Sequence, residues 1–544
     1  MTATLEAPER AEDEGASESD APAPPTRPVP AALQQWHDPH PWAGRVVTLF
    51  TLAVACATRL WALGFPQSKS FDEVYYATEA QEVLRFGYED NRGYMFIVHP
   101  PVGKLLIALT SHVWGGADAT YNTVGWRLAP AIAGIASVVI ITRVARRMFR
   151  SNLFGGIAGV LLALDGVSLV QSRVALLDIF LQTFILAGFA ALVVDRDQVR
   201  GRLAGLVGEG VDLSAGVPTL GPRPWRLVAG VMFAIACSVK WSALSFYVLF
   251  CVMSLWWDRG ALKSAGVKHS WRNAAGRSWI YGFGSFVVTP IGVYLLTWIG
   301  WFAGENSWNR HWADTHGPDA KLNLGLLHLS HVKIPFTWAW VPDAIRSLGD
   351  YTYNAYRFHE TLYSPHPYGS KPWSWLILGR PVTYFYPSNP TGCGSSSCSR
   401  EILLIGTPLM WWGFLPALVW LAWHWFTTRD WRASVVWVAM VAGWLVWFPD
   451  LRRTMFLFYM TPLVPFLILG LTLALGSVLG PGIAAGLDDA ARLRAERRRR
   501  WGITGVSVYL GVVVADFAWM WPLFTGGLLT YDQWHAHMWF PSWV

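Results

Sequence analysis

Long apolar runs separated by short polar segments dominate the chain from residue 46 onward. A helix needs roughly twenty consecutive apolar residues to cross the hydrocarbon core of a bilayer. Runs close to that length predict about eleven membrane-spanning helices, at residues 46–64, 126–145, 153–170, 176–194, 226–241, 243–257, 279–300, 403–426, 433–449, 456–478 and 502–523. The pattern therefore predicts an all-α polytopic membrane protein.

Arginine and lysine cluster in the short loops after the predicted second, fourth, sixth and tenth spans, most densely in RLRAERRRR at 492–500. Cytoplasmic loops carry an excess of Lys and Arg, and one topology places all these loops inside: the N-terminus is cytoplasmic and the C-terminus extracytoplasmic. Two long loops, about 65–125 and 301–402, then lie outside. The stretch at 102–114, VGKLLIALTSHVW, predicts an amphipathic helix lying on the membrane surface.

Residues 1–44 are acidic and rich in proline. Such composition predicts a disordered cytoplasmic tail, and without a basic start followed by an apolar stretch we expect no cleavable signal peptide. Residues 45–544 would then form one membrane domain. No repeat with a fixed period is evident in the sequence.

Composition agrees with the membrane class. Hydrophobic residues make up 53% of the chain, charged residues only 15%, and there are 34 tryptophans, which favour bilayer interfaces. The formal net charge of +7 resides in the short loops, so it indicates membrane topology and no nucleic-acid partner. Of the five cysteines, Cys393 and Cys398 lie in a polar stretch, where a short disulfide is plausible if the loop faces an oxidising compartment and a zinc site is less so.

Charged residues gather on the predicted outer side, first in the loop after the first span. Asp72 and Glu73 are adjacent there, and neighbouring carboxylates can shift each other's pKa and supply a general base. A single charge near a helix end often only reaches for the interface, but several converging on one membrane face mark a substrate path. The others in this region are Arg59, His99, Lys104 and Arg127.

Further along the chain, Arg173 and Asp178 flank the start of the fourth span. Their spacing of five residues does not place them on one helical face, so they are expected to have different partners. Lys240 adds a cation at the turn between two spans. Arg452 and Arg453 enter the membrane from outside, against the positive-inside rule, which favours anion binding.

The second long outer loop carries HETLYSPHPYGSKPWSW at 359–375. It contributes His359, Glu360, His366 and Trp373 to the candidate site. The two histidines are seven residues apart in a segment interrupted by proline, which is a weak pattern for metal ligands. We therefore predict no essential metal.

Carboxylates and cations at one membrane surface suit a particular chemistry. Cations stabilise a lipid-linked phosphate, and a carboxylate activates a hydroxyl acceptor. The combination predicts glycosyl transfer from a sugar carried on a lipid phosphate. A lipid transporter or flippase, which would place its charges near the bilayer midplane, is the alternative from another class, and a non-catalytic membrane partner is a third.

Six segments carry a resemblance to a known family: FDEVYY (71–76), HPPVGKLL (99–106), WRLAP around Arg127, SRVALLD (172–178), SVKWSAL (238–244) and the 359–375 segment. In these the chain resembles the protein O-mannosyltransferases of the GT-C superfamily, in a shorter bacterial form without the β-trefoil domain inserted in eukaryotic members. The resemblance implies a multi-pass plasma-membrane enzyme, a polyprenyl-phosphate-mannose donor and Ser or Thr acceptors on exported proteins. A glycolipid or cell-wall glycan remains an alternative acceptor, and secretion machinery a candidate partner.

The resemblance also implies roles for residues in an inverting transfer. Asp72 is the candidate catalytic base, and Glu73 would orient the acceptor or Asp72 itself. A second group would hold the donor phosphate and lipid: Arg59, Arg127, Lys240, Arg452 and Arg453. A third would contact the acceptor or support the site: His99, Lys104, Arg173, Asp178, His359, Glu360, His366 and Trp373. The donor is a lipid-linked substrate, and no cofactor is expected to be essential.

Overall fold

The computed structural model describes residues 28–90, 98–115, 122–214, 216–218, 220–316, 340–480 and 488–544. Helices dominate these ranges. The first half of the chain forms α1 (Pro41–Leu60), α2 (Glu73–Phe86), α3 (Val102–Gly115), α4 (Thr123–Phe149), α5 (Asn152–Ala163), α6 (Gly166–Gln171), α7 (Asp178–Gly208), α8 (Pro224–Cys237) and α9 (Ala243–Ser264).

The second half continues with α10 (Ser270–Phe283), α11 (Thr289–Thr297), α12 (Ile299–Ala303), α13 (Trp312–His316), α14 (Asp343–Glu360), α15 (Pro372–Trp375), α16 (Pro408–Thr428), α17 (Trp431–Gly443), α18 (Val464–Leu479), α19 (Asp489–Thr525) and α20 (Tyr531–Ala536). Four short strands accompany them: β1 (Val382–Phe385), β2 (Cys398–Arg400), β3 (Ile402–Leu404) and β4 (Leu528–Thr530). Antiparallel pairs form between β1 and β3 and between β2 and β4.

Each apolar run predicted to span the membrane falls on helical structure. Within the described residues, five helical segments are long and apolar enough to cross a bilayer: Pro41–Leu60, Thr123–Phe149, Asp178–Gly208, Leu457–Leu479 and Asp489–Thr525. Several other runs are broken within their length. The third breaks between α5 and α6, and the seventh contains a π-helical turn at Gly284–Val288. The exact number of spans stays a prediction.

The predicted disordered tail needs a correction in its last part. Leu33 is fully buried and packs against Val199 and Leu203 of α7. Asp38 forms an ion pair of 2.8 Å with Arg146 of α4. Residues 28–40 are therefore fixed by contacts that composition does not reveal, while residues 1–27 lie outside the described residues.

The core centres on α7, which packs against α4, α8 and α9. Close packing of helices in a membrane depends on small residues at the contact. Gly188 of α7 faces the ring of Phe233 on α8, and a Cβ there would lie 2.7 Å from the ring. A cluster of ion pairs joins α7, α8 and α9. Arg223 and Arg226, at the start of α8, pair with Asp195 of α7 and Asp258 of α9.

The segments predicted to lie outside the membrane also contain helices and a disulfide. The predicted surface helix at 102–114 is α3, and α2 packs beside it. Cys393 and Cys398 form a disulfide next to β2, so these sulfurs are not zinc ligands. The location of α3 at the membrane surface stays a prediction.

Glycine 230 of α8 provides a test of this packing. A Cβ at this position would lie 1.9 Å from the backbone carbonyl oxygen of Ser285 in the π-helical turn. Because backbone cannot move aside as a side chain can, Gly230→Ala should cost about 1–3 kcal/mol through overpacking. Thermal unfolding of the purified protein in detergent should show a lower midpoint.

The matched control is Gly511→Ala on α19, where an added Cβ meets nothing within 4 Å. Alanine is the better helix former, so this variant should be neutral or slightly stabilised. Equal behaviour of the two variants would show that the α8 contact is loose.

Candidate active site

The site is built on the loop between α1 and α2. Arg173 donates hydrogen bonds to the carbonyl groups of Thr58, Arg59 and Trp61, which closes the C-terminal end of α1. Arg127 donates to the carbonyl oxygens of Pro66 and Ser68, each at 2.9 Å. Two buried arginines therefore hold a loop that has little regular structure of its own.

Glu73 forms a buried, bidentate ion pair with Arg127. Its Oε1 accepts from Nε of Arg127 at 2.8 Å and its Oε2 from Nη2 at 2.7 Å, and both side chains are fully buried. The carboxylate also accepts from the backbone N–H groups of Ser70 and Ala175 and from the indole of Trp126. With all these donors, Glu73 fixes the first turn of α2 and with it the adjacent Asp72.

Phe71 precedes Asp72 in a left-handed conformation, with φ of 50°. Its ring stacks on Tyr384 at 4.8 Å between centroids and meets His366, Phe456 and Phe458 edge-on. A bulky residue with positive φ is strained, and such strain persists only where the surroundings hold it. The aromatic contacts of Phe71 stabilise this conformation. Asp72 therefore lies between two fixed neighbours, Phe71 and Glu73.

Asp72 is partly buried, and its carboxylate makes no hydrogen bond or ion pair with the residues that the structure describes. Burial raises the pKa of Asp72 to about 6, with Asp178 raising it further and Lys240 opposing both. A carboxylate with this pKa is ionised at neutral pH and accepts a proton more readily than an ordinary aspartate. These are properties of a general base.

Lys240 lies at the turn between α8 and α9. Its Nζ is 3.0 Å from Oδ1 of Asp178, which begins α7, and 5.2 Å from the centroid of the Tyr459 ring. Lys240, Asp178 and Tyr459 line a small cleft whose other walls are mainly apolar, formed by residues such as Phe246 and Trp447. The cleft places a cation beside an apolar surface, as a lipid phosphate requires.

Arg453 packs beside Trp447 and Tyr459, two residues that line the cleft. It donates to the carbonyl oxygen of His359 at 2.7 Å and to the hydroxyl of Tyr459 at 3.2 Å. The His359 ring stacks on His99 at 4.8 Å, and its Nε2 donates to the carbonyl oxygen of Val98 at 2.9 Å. Burial lowers the pKa of His359 to about 4 and that of His99 well below its usual range. Both imidazoles are therefore neutral at physiological pH.

Two predicted phosphate ligands need correction. Arg59 and Arg127 are fully buried, and their guanidinium groups are directed to protein atoms. Arg59 donates to the carbonyl oxygens of Leu162 and Ala163, each at 3.0 Å. Neither offers a surface to a lipid phosphate, so both hold the fold. Glu73 is equally buried and cannot contact an acceptor. Of its two predicted roles, only the orientation of Asp72 remains.

The supporting residues separate into two groups. Lys104 is fully buried, 2.8 Å from Glu89 and 3.3 Å from Glu79, and joins α2 to α3. Arg173 and Asp178 have different partners, as predicted. Others lie at the surface or rim: Trp373 is 54% exposed, the Arg452 side chain is 78% exposed, Glu360 pairs with Arg357 and His366 packs on Phe456.

Sequence reasoning missed three residues near Asp72. Tyr384 is buried against Phe71, and its hydroxyl accepts a hydrogen bond of 3.0 Å from Gln171. Burial and the charges of Asp72 and Asp178 raise the pKa of Tyr384 and of Tyr76 well above the usual range, so both phenols stay protonated. No local spacing connects Tyr384 or Gln171 to Asp72, whereas Tyr76 lies four residues after Asp72 within FDEVYY. Across the described ranges, no group of three or more His, Cys, Asp or Glu is placed to hold a metal ion.

Comparison with protein families gives matches over most of the chain. A family model described as dolichyl-phosphate-mannose-protein mannosyltransferase matches residues 49–303. A second, described as the C-terminal four TMM region of protein-O-mannosyltransferase, matches residues 346–543.

Individual relatives match at nearly full length. The chain is 41% identical over 513 residues to a polyprenol-phosphate-mannose–protein mannosyltransferase of Mycolicibacterium smegmatis, covering 92% of this chain and 93% of the relative. It is 34% identical over 520 residues to the protein of the same name from Corynebacterium glutamicum, covering 93% and 94%. In structure it is similar to the S. cerevisiae protein O-mannosyltransferase Pmt1-Pmt2 complex bound to the sugar donor, with a TM-score of 0.69, 15% identity and 92% of each chain covered. These likenesses confirm the predicted fold class.

The ion pair of Glu73 and Arg127 should be essential for folding. Glu73→Ala leaves a buried guanidinium without its counter-charge, which costs roughly 3–5 kcal/mol. Glu496→Ala is the control, because in its pair with Arg492 the side chains are 29% and 65% exposed, and such surface pairs contribute about 1 kcal/mol or less. Thermal unfolding in detergent should separate the two variants clearly, and equal midpoints would contradict a structural role for the buried pair.

The pKa of Asp72 predicts the pH dependence of any reaction in which it acts as the base. Because the folded-state pKa is raised from 3.8 to about 6, the basic form is lost as pH falls through about 6. The rate at low substrate should therefore fall tenfold per pH unit below that point. A pH profile that stays flat down to about 4 would contradict the raised pKa.

Proposed function

The chain belongs to the dolichyl-phosphate-mannose–protein mannosyltransferase family, and from this we propose that it transfers mannose from polyprenyl-phosphate-mannose to Ser or Thr hydroxyls of exported proteins. It is a membrane-spanning glycosyltransferase. The observation that carries the proposal is the unpaired Asp72 carboxylate, held beside a cleft that contains Lys240.

Asp72 acts as the base in a single displacement. The acceptor hydroxyl lies against its carboxylate, and the oxygen attacks the anomeric carbon of mannose. A C–O bond forms to the acceptor, the bond to the phosphate oxygen breaks with its electron pair, and the hydroxyl proton passes to Asp72. One displacement inverts the anomeric centre, through an oxocarbenium-like transition state.

Lys240 and Arg453 stabilise the leaving phosphate. Negative charge grows on the phosphate as the C–O bond breaks, and fixed cations lower the energy of that state. Both side chains lie beside Tyr459, and no described residue accepts a hydrogen bond from Nη2 of Arg453. Two cations suit a lipid monophosphate, so the proposed step requires no divalent metal.

The apolar walls of the cleft support a lipid-linked donor. Phe246 lies on α9, Gly443 ends α17, and Trp447 lies in the short turn after α17; all are parts of the membrane domain. A polyprenyl chain entering there from the bilayer would bring its phosphate to Lys240. The neutral His99 and His359, together with Tyr384, would border the acceptor.

The arrangement of charges supports an extracytoplasmic site in the plasma membrane. Asp72 follows the C-terminal end of α1, whereas the basic segment 492–500 lies at the N-terminal end of α19. By the positive-inside rule the basic segment is cytoplasmic. Asp72 then faces the compartment in which an exported polypeptide emerges, whether or not secretion machinery delivers it.

Replacement of the base tests the proposal. Asp72→Asn should lower mannose transfer from the lipid donor to a Ser/Thr peptide by about 10²–10⁴-fold. Because the raised pKa means that the ionised carboxylate destabilises the fold above pH about 6, the variant should unfold at no lower temperature than wild type at neutral pH.

Asp532→Asn is the matched control, since Asp532 is an exposed aspartate in the first turn of α20. It should retain full activity. Retained transfer by Asp72→Asn would remove Asp72 as the base. Transfer by wild type to a glycan but not to a peptide, or movement of the lipid without transfer, would contradict the proposed acceptor or reaction.

A further inference from the structure

A second cavity lies away from the candidate active site, between α1, α5 and α19. Its volume is about 390 Å³. The crevice exists because α1 and α5 pack against each other, whereas α19 packs mainly on α18 and β3. Its lining includes Val46 of α1, Asn152 at the start of α5, Leu164 just after α5, and Val514 of α19.

The lining is apolar except for Asn152 at one end. Along α5 the crevice runs from Asn152 to Leu164, which is about 18 Å at a rise of 1.5 Å per residue. The hydrocarbon core of a bilayer is about 30 Å thick. The crevice therefore matches the depth of one leaflet, as a phospholipid acyl chain does.

The end of the crevice at Asn152 is level with a strongly basic part of α19. A Cβ added to Gly476 of α18 would lie 3.0 Å from the Phe154 ring on α5, and one added to Gly502 of α19 would lie 2.4 Å from the carbonyl oxygen of Val478. The start of α5, the end of α18 and Gly502 thus share one level. Just before Gly502, within about 8 Å along the helix axis, come the exposed Arg497, Arg498 and Arg500.

We propose that this crevice binds an anionic phospholipid, with its acyl chains between α1, α5 and α19 and its phosphate at the level of the exposed arginines near the start of α19. The apolar crevice ends at Asn152, and the exposed arginines of α19 lie at about the same level. Basic groups at a membrane surface attract anionic head groups. The positive-inside rule assigns this end to the cytoplasmic leaflet. The bound lipid fills the gap that α19 leaves and anchors this helix to α1 and α5.

The site is separate from the proposed transfer reaction. Val46 lies near the start of α1, and Asp72 follows the end of that helix. A donor whose phosphate lay at the arginines would hold its sugar on the wrong side of the membrane domain. The occupant is therefore a phospholipid of the cytoplasmic leaflet and not the sugar donor.

Native mass spectrometry of the full chain released from detergent micelles tests the proposal. Phosphatidylglycerol should be retained more strongly than phosphatidylcholine, and polyprenyl phosphate should not displace it. Val46→Trp and Val514→Trp fill the crevice from side chains that are 54% and 48% exposed, so they should fold normally and lower retention. Val508→Trp is the control, because Val508 is 60% exposed on α19 but does not line the crevice.

The charge is tested separately. The triple variant Arg497→Gln/Arg498→Gln/Arg500→Gln should weaken phosphatidylglycerol retention by about tenfold or more, because each basic residue near the surface contributes to attraction. Lys263→Gln/Lys268→Gln removes exposed charge from another loop and should leave retention unchanged. Equal retention of the two lipids, equal effects of Val508→Trp and Val514→Trp, or displacement by polyprenyl phosphate would each overturn the proposal.

Discussion

The buried ion pair of Glu73 and Arg127 is the interaction on which the candidate active site depends. Two charges removed from water gain little net stability from each other, but removing one partner is very costly. The pair is therefore best understood as a device that fixes geometry. Through Arg127 it holds the carbonyl groups of the loop after α1, and through Glu73 it holds the first turn of α2. Asp72 lies between these two fixed elements and needs no partner of its own.

The cations on this side of the membrane domain divide into buried groups that bind backbone carbonyls and groups that lie beside the candidate cleft. Arg59, Arg127 and Arg173 donate hydrogen bonds to backbone carbonyls, and Arg127 also donates to the Glu73 carboxylate. Lys240 and Arg453 lie beside Tyr459, next to a cleft with apolar walls. This division explains how one small region can contain many cations yet present only a few to a lipid phosphate. Strain at Phe71 adds a further fixed point, because its ring contacts hold an unfavourable backbone conformation in place.

Much of the fold could be predicted from the sequence because apolar run length and helical structure are linked locally. Asp72 and Lys240 could be predicted because several charges converge on one membrane face and because the segments that contain them resemble a known family. The buried roles of Arg59 and Arg127 could not be predicted, since only the tertiary fold brings them near their partners, which are backbone carbonyls and, for Arg127, also Glu73. The same holds for Tyr384 and Gln171, which are far apart in sequence, and for Leu33, whose neighbours lie on α7.

A structure of the protein with a bound, non-hydrolysable analogue of polyprenyl-phosphate-mannose tests the central claim most directly. The phosphate should contact the side chains of Lys240 and Arg453, and the anomeric carbon should face the Asp72 carboxylate with room for one hydroxyl group between them. The ion pair of Glu73 and Arg127 should be unchanged by binding. A phosphate bound to Arg59 or Arg127, or a sugar facing away from Asp72, would contradict the division between cations that hold the fold and cations that bind the donor.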